Sequence, residues 1–483
     1  MRYLSVSLAI IVSLLAGCTD EKAADYVTVV PADADAVAAV RLDELVRKSD
    51  VTRTIWYKLA LSNLSKNQAL AGGASEALVA FAKDPSVMGV DFSKAAYLFK
   101  VGDQVGLSLK VDDSSLLDEF VSRLAGWGVC SKVKQHDDLT WSRLLDEVNM
   151  VWNDNTLLMM YSQAQLVNDR TMLALMTQPA DQSFAATSRF NQLKETKGDD
   201  ISLYVNLAVA PDGVKDAMRP MMPAGAKYSD VELVAGLDFQ NGSVTLSSLM
   251  FSSNDKIQAE IDKKYSALKP IGTGFVNKIP RGSTAWMLFG TDGTTLLNLL
   301  KSLPGMKEKL LVAGLGVDVE AMIRAIDGDV MLVTHTNAND IHEDLNMRMY
   351  AEVANTDFMA DADYWMESAR DYGIKLNQLA EGEYSIHADD TDFFMAAADK
   401  TLYFGNSRYE VLQAQGQNAF AGEISGKNMF VMFDASKLNP KLSTITAASA
   451  RSGELVVTVN MANKNNNIIA ELLQVVLGQL WQF

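Results

Sequence analysis

The chain has 483 residues, 48% hydrophobic and 21% charged, with a formal net charge of −17. That composition excludes a disordered or collagen-like chain, and the length accommodates about two or three domains of ~150 residues. The acidic balance disfavours sequence-independent binding to nucleic acid and provides no peripheral attraction to anionic lipid.

The first element is a leader. Arg2 supplies one positive charge, and an apolar run from Tyr3 to Ala16 follows. At ~1.5 Å per residue the run is too short to cross a ~30 Å hydrocarbon layer, so it reads as the apolar region of a signal peptide over residues 1–17. Leu15-Ala16-Gly17-Cys18 resembles the lipobox of bacterial lipoproteins. The resemblance implies cleavage before Cys18 and lipidation of its sulfur. Several acyl chains, at ~0.8 kcal/mol per buried CH₂, would make a lasting attachment to the bilayer. Residues 18–25 then form an acidic tether, and Thr19-Asp20-Glu21-Lys22 resembles the export tag of Bacteroidota lipoproteins. The expected address is the outer membrane, at its periplasmic face or the cell surface. With Cys18 acylated, Cys130 has no partner for an intramolecular disulfide; its setting, Trp127-Gly128-Val129, predicts a buried, inert thiol.

The body reads as a duplication. Val30-Pro31 leads through Ala36 to Asp43 into Glu44-Leu45-Val46, and Ile279-Pro280 through Ala285 to Gly290 into Leu296-Leu297-Asn298-Leu299-Leu300; both read as proline turn, then strand, then helix. Leu107–Val111 runs into a helix with apolar positions 116, 117, 120, 121 and 124, and Met349–Val353 runs into a helix over Phe358–Met366. Both helices end at an aromatic residue followed by glycine, Trp127-Gly128 and Tyr372-Gly373, where glycine supports a left-handed stop. From there residues 127–166 align without a gap onto 372–411, with Asp154-Asn155 and Asp399-Lys400 reading as hairpin turns. Ile201–Val205 then corresponds to Met429–Phe433, and Val244-Thr245-Leu246 to Leu455-Val456-Val457. The expectation is α+β: two tandem pseudo-equivalent lobes, each a mostly antiparallel sheet with helices packed on one face. Residues 26–269 would form the first lobe, 270–274 a linker and 275–483 the second. The apolar positions 468, 469, 472, 473, 476 and 480 predict a C-terminal helix and argue against a barrel strand. No later stretch is long and apolar enough to span a membrane.

Two segments carry a family resemblance. Pro31-Ala32-Asp33-Ala34 with Leu42-Asp43, Leu45 and Lys48-Ser49, then Asp84-Pro85, Met88-Gly89-Val90-Asp91 and Tyr97-Leu98-Phe99, are similar to an uncharacterised envelope lipoprotein family of Bacteroidales. That resemblance implies an envelope location and no particular chemistry.

Chemistry-bearing motifs are sparse. His335 and His342 flank a polar stretch without a recognisable metal spacing, and His387 precedes an acid-rich run lacking the glycine and distal glutamate of a calcium loop. His136 reads as an exposed turn residue. No nucleophile elbow, phosphate loop or zinc helix motif occurs. No catalytic residue, metal ligand or cofactor is therefore expected. Met218, Met221 and Met222, in a segment broken by Pro220 and Pro223, are candidate contacts for a partner. The expected role is non-enzymatic: binding or structural, at a seam between lobes, with an envelope protein, peptide or glycan as partner. A carrier of lipid or other hydrophobic cargo, or a hydrolase assembled only in three dimensions, are the alternatives.

Overall fold

A computed structural model describes residues 25–50 and 74–469 except 165, 197–199, 224, 273, 281, 303–304, 314–316, 337–344, 389–390, 414–419 and 466, together with Thr52, Lys58 and Ser62. Cys18, His342 and most of the expected C-terminal helix lie outside the described residues. The described part is α+β, with 13 α-helices. It falls into two compact units, the first drawn from 1–215, 227–250 and 463–483, the second from 216–226 and 251–462. No described helix is long and apolar enough to cross a membrane.

In the first unit the strands are β1 (Ala36–Val40), β2 (Ala96–Val101), β3 (Gln104–Lys110), β4 (Lys134–His136), β5 (Leu139–Leu144), β6 (Val148–Trp152), β7 (Thr156–Ser162), β8 (Ile201–Asn206), β9 (Glu232–Gln240) and β10 (Ser243–Phe251). They pair in the order β10-β9-β8-β1-β2-β3-β7-β6-β5-β4. The hairpins form where left-handed or turn residues allow: Asp137 has φ 52° between β4 and β5, and Gly102 has φ 57° between β2 and β3. Strand β6 is buried at all four residues after Val148, and β7 at five of seven. These strands are therefore covered on both faces, which fits the mostly apolar sequence of β6 and β7. Their core includes Leu117 and Val121 of the helix Ser114–Gly126, together with Met150, Trp152 and Leu157.

The second unit begins with the short β11 (Leu268–Lys269), then β12 (Ala285–Asp292), β13 (Ile326–Thr336), β14 (Leu345–Val353), β15 (Lys375–Ala380), β16 (Glu383–Ala388), β17 (Thr391–Ala398), β18 (Thr401–Gly405), β19 (Met429–Asp434), β20 (Leu442–Ser449) and β21 (Glu454–Met461). Here the order is β21-β20-β19-β12-β13-β14-β18-β17-β16-β15, with β11 on the end of β12. Element for element this is the order of the first unit. The register agrees too: Ala36 faces Val205 and Val40 faces Ile201, as Ala285 faces Phe433 and Phe289 faces Met429. The core holds Trp286 stacked on Phe430, ring centroids 5.2 Å apart, with Phe420 edge-on.

Ile271 and Gly272 pack within the second unit. Ile271 is buried and donates its N–H to Lys427 O, while Gly272 donates to Asp329 Oδ1 at 2.9 Å.

Candidate functional site

The two segments that carry the family resemblance converge in the first unit. The helix Leu42–Ser49 supplies one wall of a cleft of ≈ 450 Å³, through Asp43, Val46 and Arg47. The other wall comes from Lys83, the 3-10 turn Pro85–Met88 and the stretch Val90 to Ser93, with Asp112 beside them.

Each wall has a local cause. Asp84 accepts from Ser86 N and Oγ at 3.1 and 2.6 Å, closing the turn around Pro85. The turn stops at Gly89, φ 73°, where an added Cβ would lie 2.1 Å from Asp113 O. Gly89 O in turn accepts from the backbone of Asp112 and Asp113, so the left-handed residue also sets the start of the helix Ser114–Gly126. Asp91 donates its N–H to Lys110 O and accepts from Ser93 N at 2.8 Å.

The opposite helix is tied down at its far end. Lys48 Nζ lies 2.8 Å from Asp200 Oδ2 and 3.1 Å from Asp238 Oδ1, and Asp200 is fully buried. Arg47 pairs with Glu44 one turn back. Asp43 is different. It is 2% exposed, and its Oδ2 has no hydrogen-bond partner among the described residues. Burial, only partly opposed by the Glu44 backbone N–H, pushes its carboxyl up to about 6. In the second unit the corresponding Asp292 accepts from Thr295 N and Oγ1, both at 2.9 Å. Those bonds, the backbone one first, hold its carboxyl below the usual range.

A second buried carboxyl belongs to the other unit. Asp329 is 2% exposed, and its N–H donates to Glu352 Oε2 at 3.0 Å across an irregularity between β13 and β14. Burial raises its carboxyl, Gly272 N–H opposes the rise, and the Glu352 charge adds to it. With Gly272 on one oxygen, Asp329 ties that glycine to β13.

The residues singled out in the sequence do not gather. Met218, Met221 and Met222 are half-buried at the end of the short helix Asp212–Met218 and the turn after it, where Met222 O accepts from Lys264 Nζ. Cys130 is buried, which raises its thiol to about 11. His136 is exposed; His335 lies on β13 opposite Asn346; His387 Nδ1 is 2.8 Å from Asp392 Oδ1 in a hairpin. Among the described residues no three His, Cys, Asp or Glu side chains form a metal-holding group. In the sequence Asp43 stands only within a motif, and nothing local marks it as part of a cleft. The available signal was an aspartate on the buried stripe of Leu42, Leu45 and Ser49.

With this geometry in place, comparison with known proteins gives a family. The chain belongs to the family described as a domain of unknown function, DUF4836, whose model matches residues 26–417. Every cleft residue lies in that range. No curated protein matches. Among solved structures, crystal forms I and III of a protein called TP0453 are similar at 12% and 11% identity. They cover 53% and 51% of this chain and 90% and 88% of theirs, each with a TM-score of 0.27.

Proposed function

We propose that this protein is an envelope lipoprotein with a non-enzymatic binding role, its ligand site being the Asp43 cleft. One observation carries the binding role: two sequence-distant motif segments line a single cleft, and one of them carries the buried carboxyl of Asp43, whose Oδ2 has no hydrogen-bond partner among the described residues. The cleft's serines serve turns closed by Asp84 and Asp91, an arrangement suited to holding a shape. The lipobox-like Leu15-Ala16-Gly17-Cys18 supports cleavage at residue 17 and a tether through acylated Cys18, with the outer membrane as address. The matching strand orders and registers support a body of two tandem lobes descended from one duplicated unit.

Two measurements test this. Metabolic labelling with alkyne-palmitate should tag the wild-type protein and leave Cys18→Ser unlabelled and released from membranes; an unlabelled wild type with its leader intact defeats the tether. Methyl NMR of the mature chain against fragments of mixed charge should move the Val46 and Val90 signals. Silence across the whole library defeats the cleft as a site.

A further inference from the structure

We infer that the two halves of the sequence swap their closing segments: the stretch after β21 completes the first unit, and the stretch after β10 completes the second. The inference goes beyond the proposed binding role and is independent of the cleft.

Equivalence of the two stretches is the first argument. Strand β10 ends the strand order of the first unit as β21 ends that of the second. Each is entered from its neighbour through a left-handed glycine, Gly242 with φ 80° and Gly453 with φ 70°. Beyond each last strand an asparagine opens the next segment in the same way. Asn254 Oδ1 accepts from Lys256 N, and Asn467 Oδ1 from Ile469 N, both at 3.0 Å. Such a side chain satisfies a backbone donor that a starting helix leaves free.

Their destinations are crossed. The first unit takes the stretch from residue 463, and the second takes residues 251–269. Asn467 forms an antiparallel bridge with Asn241, and a Cβ on Gly242 would lie 2.7 Å from Lys464 Cα. Ile468 and Ile469 pack against the first unit's core of Leu42, Leu45 and Phe239, as do Ile201 of β8 and Leu237 of β9. On the other side, Ile261 of the helix Asp255–Tyr265 is fully buried, and Lys264 Nζ reaches Met222 O, which also belongs to the second unit. Just past that helix the buried Ala267 O accepts from Thr291 Oγ1 at 2.7 Å, and β11 pairs with β12. A half deprived of the other's segment would leave part of its apolar core open to water. Each half therefore depends on the other to close.

Hydrogen–deuterium exchange with mass spectrometry, on the full mature chain in detergent, reads which unit each segment supports. Ile468→Ala with Ile469→Ala should speed the exchange of peptides from β8 and β9 about tenfold. Peptides from β19 and β20, closer in sequence, should keep their rates. Ile261→Ala should do the reverse, loosening β11 and β12 and sparing β8 and β9. Where a variant fails to fold, Asn241→Cys with Asn467→Cys takes its place, since bridged residues lie within disulfide reach. Oxidation should join the pair within one molecule and slow exchange in β9. The swap is overturned if each substitution acts only on its own half, if both units respond alike, or if neither responds. A cysteine pair that stays reduced, or links only separate molecules, overturns it as well.

Discussion

Asp43 and Asp292 each lie three residues beyond the last position at which equivalent strands pair with β8 and β19, Val40 and Phe289. Asp292 caps the helix that follows, whereas the helix over Leu42–Ser49 begins after Arg41 with no side-chain cap, leaving Asp43 inside its first turn. Equivalent backbone positions thus give one carboxylate a structural task and leave the other buried and uncommitted.

The sign of the Asp43 effect on stability follows. Its carboxyl is raised to about 6 in the folded chain, above its unfolded value, so the protonated form favours folding. That contribution is complete below the unfolded value, near 4, and is lost as pH rises through 6. Asp43→Asn, permanently neutral, should match the wild type at pH 4. It should exceed it by about 1–2 kcal/mol at pH 7.5, after allowance for solvent screening. Urea unfolding at both pH values reads the difference; equal stability at pH 7.5 would show that Asp43 is not strained by its burial.

Asp292 should behave in the opposite way. Asp292→Ala removes the acceptor for Thr295 N and Oγ1 and should cost about 1 kcal/mol at neutral pH. Asp292→Asn should recover most of it, since an amide oxygen also caps. Thermal melts of the two variants, side by side, separate capping from charge.

What could be read in advance was local. Gly128 and Gly373 were expected as helix stops and have φ 75° and 78°; Asp399-Lys400 was expected as a hairpin turn and both residues have φ near 50–60°. Each depends only on backbone sterics within a few residues. Asp43 was opaque for the contrary reason. An acid in the first turn of a helix looks like a partner for the helix dipole, and the other wall of its cleft, Val90 to Ser93, lies far along the chain. Likewise Pro270 to Gly274 reads as a turn-forming join. That Gly272 N–H ends on Asp329 depends on the pairing of β12 with β13.

Lys48 should matter more than a surface lysine. Lys48→Met leaves Asp200, fully buried, without its cation, and should cost about 3 kcal/mol. Adding Asp200→Asn should restore a substantial part, because the stranded charge is then gone. A double-mutant cycle in urea gives the coupling; additivity of the two changes would mean the pair contributes nothing as a pair.

Gly89 and Gly128 provide a matched comparison for the cleft wall. Both are left-handed, with φ 73° and 75°, but an alanine Cβ at 89 would lie 2.1 Å from Asp113 O and 2.8 Å from Leu117 N, whereas at 128 nothing lies within 4 Å. Gly128→Ala should therefore cost only the left-handed penalty, about 1 kcal/mol. Gly89→Ala should cost that and the clash, at least about 2 kcal/mol in total. Movement of the turn Pro85–Met88 away from the helix Ser114–Gly126 relieves the clash, and that movement carries Val90 and Asp91 with it. Gly89→Ala should accordingly disturb the Val46 and Val90 methyl signals while Gly128→Ala leaves them in place. Equal stability losses, or an unperturbed cleft in Gly89→Ala, would show that the wall is set by something other than this glycine.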